Sequence, residues 1–225
     1  MNVLIVGEFS GFAKHLKNGF RILGHDVTVV QTGDGWKGLG NSEDIMIRTC
    51  NEISFYGVRI RGLNRIIAPF IRKELQEQLI DTIRVQNPNA LCLCAGFNWA
   101  YDLTPVATEP VARPNVAYVS HPYPMKRSEP WEGQWEKDFG FVADTYPVIC
   151  TEIGFCLENE PGAHIPVMAT DVYGEHITRY FEEKGISFTV WCFDTSWAPM
   201  LISDWEFTPT TQGRFFKAYL QGKRL

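Results

Sequence analysis

The chain has 225 residues, of which 45% are hydrophobic, and this is enough to bury the core of one large domain or two small ones. Its formal net charge of -5 argues against a nucleic-acid-binding surface, because phosphate binding needs clustered positive charge. No apolar run is long enough to span a membrane, and Glu8 interrupts the N-terminal run before it reaches the length of a secretory signal. We therefore expect a cytoplasmic globular protein with neither a nucleic-acid nor a membrane partner.

The first third of the chain has the pattern of an open α/β segment. A buried strand is predicted at Val3 to Val6, a helix at Phe12 to Leu23 that stops at Gly24, and a second strand at Val27 to Gln31. We expect the two strands to be adjacent and parallel, joined by a right-handed crossover. Two short candidate strands and a long amphipathic helix follow, at residues 45–47, 53–56 and 64–86.

The rest of the chain repeats a strand, a polar or aromatic strand end and a helix. Four apolar runs are predicted to be strands, at Ala90–Ala95, Val116–Val119, Val148–Thr151 and Ser187–Val190. Helices are predicted at Glu132–Ala143, Tyr173–Lys184 and Thr211–Leu220. The side chains that follow the four strands are Asn98 and Trp99, His121 and Tyr123, Glu152, and Trp191. Four such units predict half of a (β/α)8 barrel, joined to a doubly wound, Rossmann-like βαβ segment.

Glu152 ends the third of these runs, just before a turn glycine at Gly154. In a (β/α)8 barrel the residue at the C-terminal end of a strand points into the mouth of the active site, so a carboxylate there is a candidate catalytic group. The alternative is a surface glutamate at the end of a strand. We favour the catalytic interpretation because polar or aromatic residues end the other three strands as well.

The six cysteines do not follow the ligand spacing of a zinc site. Cys92 and Cys94 alternate along a predicted strand, which puts both thiols on one face without a second pair. We interpret the cysteines as small buried hydrophobes in a reducing compartment, and we expect neither a metal nor another cofactor.

The four strand ends together carry a resemblance to a known family. Their sequences are Gly96-Phe97-Asn98-Trp99, His121-Pro122-Tyr123-Pro124, Thr151-Glu152-Ile153-Gly154-Phe155 and Trp191-Cys192-Phe193-Asp194. From about residue 81 onward, the chain resembles the C-terminal half of glycoside hydrolase family 5, which comprises cellulase-like retaining glycosidases with a (β/α)8 fold.

The resemblance implies a role for each of these side chains. Glu152 would be the nucleophile, His121 and Tyr123 its hydrogen-bonding neighbours, and Trp191 a platform for a sugar ring. Asn98 and Trp99 would be further contacts to a carbohydrate substrate. Two alternatives stay open, namely that Trp191 is a core residue and that a backbone carbonyl satisfies His121.

Retaining hydrolysis needs a second carboxyl group, about 5 to 5.5 Å from the nucleophile, to protonate the leaving oxygen. The resemblance implies an Asn-Glu-Pro motif upstream of Ala90, and residues 1–89 contain none. Asn159-Glu160-Pro161 has the right letters but follows Glu152 by only eight residues, so we interpret it as a coincidence. Glu8 is the first-half candidate for a replacement acid, and its alternative is a turn residue near a helix N-terminus.

The N-terminal part has a different resemblance. Residues 3–13 and 24–30 are similar to the N-terminal domain of a two-domain nucleotide-sugar glycosyltransferase. The chain is therefore interpreted as a chimera or fusion, with a glycosyltransferase-like segment at 1–89 and a half barrel at 90–225, either separate or merged into one domain.

Three functional hypotheses follow. The first is a retaining hydrolase of β-glucan type whose activity is weakened by the missing acid. The second is a non-catalytic chimera or carbohydrate-binding remnant, and the third is a glycosyltransferase fragment. Open sheet edges also predict self-association.

Overall fold

The computed structural model describes residues 2–6, 12–31, 45–46, 53–55, 58–60 and 64–222. The chain divides into two compact units, Met1–Arg72 and Lys73–Leu225. Glu8, the candidate for a replacement acid, and Cys50, one of the six cysteines, lie outside the described residues. Within the described residues, no helix combines the length and the apolar character needed to cross a membrane.

The N-terminal unit contains a three-stranded parallel sheet. Its strands are β1 (Asn2–Val6), β2 (Asp26–Gln31) and β3 (Ile45–Met46), with α1 (Phe12–Ile22) between the first two. β1 pairs in parallel with β2 from Asn2↔Asp26 to Val6↔Val30, which confirms the predicted adjacency of these strands. A separate antiparallel pair consists of β4 (Ile53–Phe55) and β5 (Val58–Ile60).

The C-terminal unit is built on a four-stranded parallel sheet. After α2 (Asn64–Gln86), the elements are β6 (Cys92–Ala95), α3 (Phe97–Ala100), β7 (Val116–Val119), α4 (Glu132–Asp138), β8 (Val148–Ile153), α5 (Asp171–Lys184), β9 (Ser187–Val190) and α6 (Thr211–Leu220). The strand order is β6-β7-β8-β9 and every neighbouring pair is parallel. The predicted run of four parallel strands is therefore confirmed, and the C-terminal ends of all four strands lie at one edge of the sheet.

One face of this sheet packs against helices. The core joins strand residues to helix residues, and it includes Cys94, Tyr118, Val148, Cys150, Trp135, Ile177, Phe181 and Phe216, all of which are buried. Burial of a large apolar side chain contributes about 1.5–3 kcal/mol, so this layer supplies much of the stability of the unit. It also fixes the strands whose ends carry the predicted site.

Several predicted elements have different bounds in the structure. The first strand begins at Cys92 rather than at Ala90. The helix predicted at Glu132–Ala143 breaks after Asp138, and the chain continues as a tight 3-10 turn. At the break, Phe139 has a non-helical conformation with φ -151° and ψ -27°. The next residue, Gly140, lies so close to Tyr180 that a Cβ there would be 1.7 Å from the tyrosine hydroxyl.

The helix predicted at Tyr173–Lys184 begins two residues earlier, at Asp171. It ends at Gly185, whose φ of 65° is readily available only to glycine. The left-handed turn lets the Ile186 amide donate to the Phe181 carbonyl at 2.9 Å, which caps the helix and leads the chain directly into β9.

Candidate active site

A β-bulge lies at the end of β8, where the predicted nucleophile is found. β8 pairs with β9 through Cys150↔Phe188 and then Ile153↔Val190, so two residues of β8 face the single residue Thr189 of β9. These two residues are Thr151 and Glu152. A bulge breaks the alternation of side chains along a strand and can redirect them at a functional site. As a result, Thr151 and Glu152 are both partly exposed, while Cys150 and Ile153 on either side of them are buried.

The imidazole of His121, which follows β7, contacts both bulge residues. Its Nε2 lies 2.8 Å from the Thr151 hydroxyl, and its Nδ1 faces Glu152 Oε2 at 3.5 Å. A ring protonated at Nδ1 would point its N–H toward the carboxylate and accept from the threonine. The alternative in which a backbone carbonyl satisfies His121 is wrong for these ring nitrogens, because they contact side chains.

Tyr123 supplies the second partner of the carboxylate. Its hydroxyl donates to Glu152 Oε2 at 3.1 Å. Burial raises the pKa of Tyr123, and the neighbouring Glu152 carboxylate raises it further. The phenol therefore stays protonated and acts only as a donor to Glu152 at physiological pH. In the described part of the chain, the Glu152 carboxylate has these two partners, and neither is another carboxyl group.

The charge state of His121 depends on opposing influences. Burial lowers its pKa, the Glu152 carboxylate raises it, and the ammonium of Lys126 lowers it, with a lowered pKa as the result. A neutral imidazole is therefore expected next to Glu152 at neutral pH. A neutral ring can orient the carboxylate without neutralising the charge that a nucleophile needs.

Asn98 and Trp99 lie in a strained turn after β6. Asn98, Trp99 and Ala100 have φ values of 54°, 60° and 62°, so three successive residues without a glycine are left-handed. Asparagine tolerates this conformation, but tryptophan and alanine do not, and such residues cost about 1–3 kcal/mol each. The turn leaves Trp99 81% exposed. Strain of this kind persists only where the surrounding structure holds it in place, and it is found most often at functional sites.

Trp191 follows β9 and is partly buried. Its ring meets that of Trp197 edge to face, with centroids 5.4 Å apart. Its backbone is fixed by Gln212 of α6, whose amide donates to the carbonyls of Trp191 and Pro199 at 2.8 and 2.7 Å and accepts from the Phe155 amide at 3.0 Å. Gln212 is 1% exposed, so this side chain is a buried bridge between three backbone segments.

Glu160, the residue with the letters of an acid motif, has a structural position. Its Oε2 accepts from the Leu157 amide at 2.9 Å and its Oε1 from the Thr211 amide at 3.1 Å, at the first turn of α6. Burial alone would raise the pKa of Glu160, but the hydrogen bonds from Thr211 and Leu157 hold it below its usual value. A general acid needs the opposite shift. These contacts agree with the interpretation of the motif as a coincidence.

The described residues contain no cluster of three or more His, Cys, Asp or Glu side chains that could hold a metal ion. Cys92, Cys94, Cys150 and Cys156 are buried free thiols. Cys192 is partly exposed next to Trp191, and burial together with the charges of Asp194 and Glu152 raises its pKa to about 11. A thiol with that pKa is a poor nucleophile at neutral pH.

The comparison with protein families matches residues 37–196 to the cellulase family, glycosyl hydrolase family 5. The match includes more than half of the chain and all six predicted site residues. This chain belongs to glycoside hydrolase family 5. The fold of the family is a (β/α)8 barrel, in agreement with the parallel βα units of β6 to β9. The match also begins within the segment 1–89, so the glycosyltransferase resemblance of that segment stays a prediction.

Solved structures support the same assignment. The β-glucanase SdGluc5_26A from Saccharophagus degradans, in complex with cellotetraose, is 44% identical over 69% of this chain, with a TM-score of 0.66. Its native form is 31% identical over 99% of this chain and has a TM-score of 0.70. The catalytic domain of the major endoglucanase from Xanthomonas campestris pv. campestris has the same fold, at 14% identity over 94% of this chain, 74% of its own length and a TM-score of 0.53.

The chain spans only part of these relatives. It covers 48% of the β-glucanase in the cellotetraose complex and 67% of the native form. No curated protein matches the chain. The matches therefore establish the family of this chain and not its activity.

Three residues of this site were not predicted from the sequence. Thr151 contacts His121, Lys126 contacts Asn98, and Gln212 holds Trp191. Lys126 follows the His121-Pro122-Tyr123-Pro124 motif by two residues, which is a signal that could have drawn attention to it. Gln212 gives no such signal, because it reaches Trp191 from 21 residues away through the fold.

Proposed function

We propose that this chain carries the nucleophile half of a retaining β-glucan hydrolase site, with Glu152 as the nucleophile. The observation that carries the proposal is the pair of contacts to Glu152 Oε2, from the Tyr123 hydroxyl at 3.1 Å and from His121 Nδ1 at 3.5 Å. A retaining glycosidase needs an ionised carboxylate that is oriented toward the anomeric carbon. Tyr123 holds one carboxylate oxygen by hydrogen bonding, and His121 limits the rotation of the carboxylate.

We assign carbohydrate binding to Trp191, Asn98 and Trp99. A pyranose has an apolar C–H face that packs well on an aromatic ring, and hydroxyl groups at its edge that suit an amide such as Asn98. Trp99 is largely exposed and Trp191 is partly exposed, at the ends of β6 and β9. The β-glucanase relative is described in complex with cellotetraose, which supports a β-linked glucan as the ligand.

We propose that hydrolysis of polysaccharides by this chain is weak. The carboxylate of Glu160 is held by the amides of Leu157 and Thr211, and residues 1–89 lack an Asn-Glu-Pro motif. Without a general acid, the leaving group must depart unprotonated. An aryl glycoside with a good leaving group should therefore react far better than a β-glucan.

The test compares hydrolysis of 2,4-dinitrophenyl β-cellobioside and of mixed-linkage β-glucan. Glu152→Gln should lower the rate on the aryl substrate by about 10³-fold, because no other group replaces the nucleophile. Tyr123→Phe should lower it about tenfold, since one hydrogen bond to a charged group is lost. Glu158→Gln, a change of an exposed glutamate in the loop after β8, is the matched control.

Equal residual rates for the wild type and Glu152→Gln would remove the nucleophile assignment. A 2-deoxy-2-fluoro aryl cellobioside adds a direct measurement, because a retaining nucleophile becomes covalently labelled and the label should map to the peptide that contains Glu152. Efficient cleavage of β-glucan would show that another carboxyl group of the chain acts as the general acid.

A carbohydrate-binding protein without hydrolytic activity is the second candidate. The exposed aromatic residues at the strand ends favour it, since they support binding whether or not an acid is present. Binding of cellotetraose with no reaction of either substrate would favour this candidate. The glycosyltransferase-like and chimeric origin of residues 1–89 is a separate hypothesis, which binding of a nucleotide sugar would support.

A further inference from the structure

Lys126 connects the strand ends of β7 and β6. It lies in a short 3-10 turn, Pro124–Lys126, and is partly buried. Its ammonium donates to the Asn98 carbonyl at 2.8 Å and to the Asn98 side-chain oxygen at 3.2 Å. It also lies 5.7 Å from the centre of the Tyr101 ring. Every one of these contacts is with the turn that presents Trp99.

This turn needs an external brace. Three left-handed residues in succession are unfavourable for tryptophan and alanine, so the local sequence does not favour the conformation. The base of the turn is closed by a pair of backbone hydrogen bonds between Phe97 and Asp102, each 2.9 Å long. Its tip is held by Lys126. The indole of Trp99 is 81% exposed, so burial does not fix its position.

The next residue, Arg127, holds the backbone on which Lys126 lies. Arg127 makes a two-point contact with Asp138, at 2.6 and 2.9 Å, and Asp138 also accepts from the Tyr101 hydroxyl at 2.5 Å. Lys126 and Arg127, which both follow β7, are therefore both linked to the segment after β6. Lys126 contacts Asn98 directly, and Arg127 is linked to Tyr101 through Asp138. Because Arg127 is held in this way, Lys126 can limit movement of the turn that contains Asn98.

Partial burial of the Lys126 ammonium is unfavourable, and this suggests that its contacts serve a structural purpose. Burial lowers the pKa of Lys126, since a partly desolvated ammonium is disfavoured. In the described part of the chain, the ammonium has no carboxylate partner that would compensate. Its partners are the neutral oxygens of Asn98 and the face of an aromatic ring, so its contacts are directed to one turn.

We propose that Lys126 is a positioning residue that holds the turn Asn98–Ala100 in the left-handed conformation that presents Trp99 to a β-linked glucan chain. This inference rests on the proposed function, because it assumes that the ligand is a glucan. Lys126 acts through Trp99 and does not take part in the chemistry at Glu152. Its removal should therefore weaken binding of a cello-oligosaccharide more than it slows the chemical step.

The test is a double-mutant cycle measured by calorimetric titration with cellotetraose, in full-length protein that carries Glu152→Gln to prevent turnover. Lys126→Met and Trp99→Ala should each raise Kd about tenfold, and the double variant should bind no more weakly than Trp99→Ala alone. Lys126→Arg retains the charge and the donors, so it should recover part of the affinity. Lys217→Met removes an exposed lysine from α6 and is the matched control.

A second measurement needs no ligand. With 5-fluorotryptophan incorporated, the ¹⁹F resonance of Trp99 should shift or broaden in Lys126→Met and stay unchanged in Lys217→Met. Unchanged binding and an unchanged Trp99 resonance in Lys126→Met would overturn the inference and leave the proposed function intact. If the increases in Kd for Lys126→Met and Trp99→Ala multiplied in the double variant, the two residues would act independently and the inference would also be overturned. No binding of cellotetraose by the parent protein would instead refute the proposed glucan ligand, and the inference with it.

Discussion

The two partners of Glu152 differ in what they do with a proton. Tyr123 remains a donor at any physiological pH, because burial and the adjacent carboxylate both raise its pKa. His121 is different, because burial lowers its pKa against the attraction of Glu152. The phenol therefore supplies a constant hydrogen bond, whereas the imidazole makes the surroundings of the carboxylate depend on pH.

This difference predicts how stability varies with pH. The pKa of His121 is below its ordinary value of 6.5 in the folded state, so the unfolded chain binds more protons between these two values. The contribution of His121 to the free energy of unfolding is therefore complete above about pH 6.5 and is lost as the pH falls through the folded-state pKa. Urea unfolding of the wild type and His121→Asn, followed from pH 7.5 to 5, measures this contribution as a difference.

We expect the stability advantage of the wild type over His121→Asn to shrink on acidification. The exposed His164, changed to asparagine, is the matched control for the loss of an imidazole. A wild-type advantage that grows as the pH falls would show that attraction by Glu152 outweighs burial, and the neutral state assigned to His121 would then be wrong.

The strands and helices were predictable where their causes are local. β7 and β9 have the predicted bounds, because each is a short β-branched or aromatic run between turn residues. The break of the helix after Asp138 was not predicted, and it lies where Gly140 packs against the hydroxyl of Tyr180, a residue 40 positions further along the chain. The pattern of a single sequence does not predict where an element ends when packing against distant residues sets that end.

The candidate site shows the same division. The resemblance to glycoside hydrolase family 5 implied that His121 and Tyr123 are neighbours of Glu152, and the structure has both side chains in contact with its carboxylate. The bulge at Thr151 and Glu152 was not predicted, because a regular strand and a bulged strand have the same apolar pattern. The left-handed turn was missed for a related reason, since Phe97-Asn98-Trp99-Ala100 contains no glycine to announce it.

The N-terminus of α6 offers a prediction about Glu160. One oxygen of its carboxylate accepts from the Thr211 amide at the start of the helix, and the Thr210 hydroxyl accepts from Gly213. Glu160→Gln should lower the free energy of unfolding by about 1–2 kcal/mol, because the charged acceptor of the helix-terminal Thr211 amide and of the Leu157 amide is lost. Thermal or urea unfolding measures this directly.

The same variant should leave hydrolysis of the aryl cellobioside and of β-glucan unchanged. The exposed Glu158→Gln, two residues away, is its control. If Glu160→Gln instead lost activity while keeping its stability, Glu160 would be a displaced general acid and the structural role assigned to it would be wrong.

The sheet of the C-terminal unit has two outer strands, β6 and β9, with no further strand paired to either in the described residues. Leu93 of β6 is 49% exposed. An outer strand that carries an exposed apolar side chain can pair with a strand of another chain, and a lysine on an edge strand opposes this. Self-association of the whole molecule is therefore expected.

Sedimentation velocity at protein concentrations from about 1 to 100 µM should show a dimer whose fraction rises with concentration, as expected for pairing through an outer strand. Leu93→Lys should shift the equilibrium toward the monomer. A wild type that stays monomeric throughout this range would refute the prediction, and an equal dimer fraction in Leu93→Lys would exclude β6 as the contact edge.

The buried bridge of Gln212 links the last helix to the aromatic side of the site. If α6 unfolds locally, the Phe155 amide loses its acceptor at the moment when the Trp191 carbonyl loses its donor. Local opening of a helix is an ordinary fluctuation of a folded protein. The amide protons of α6 and of Phe155 should therefore exchange with solvent at a common rate, and each opening of the helix would briefly release the backbone at Trp191.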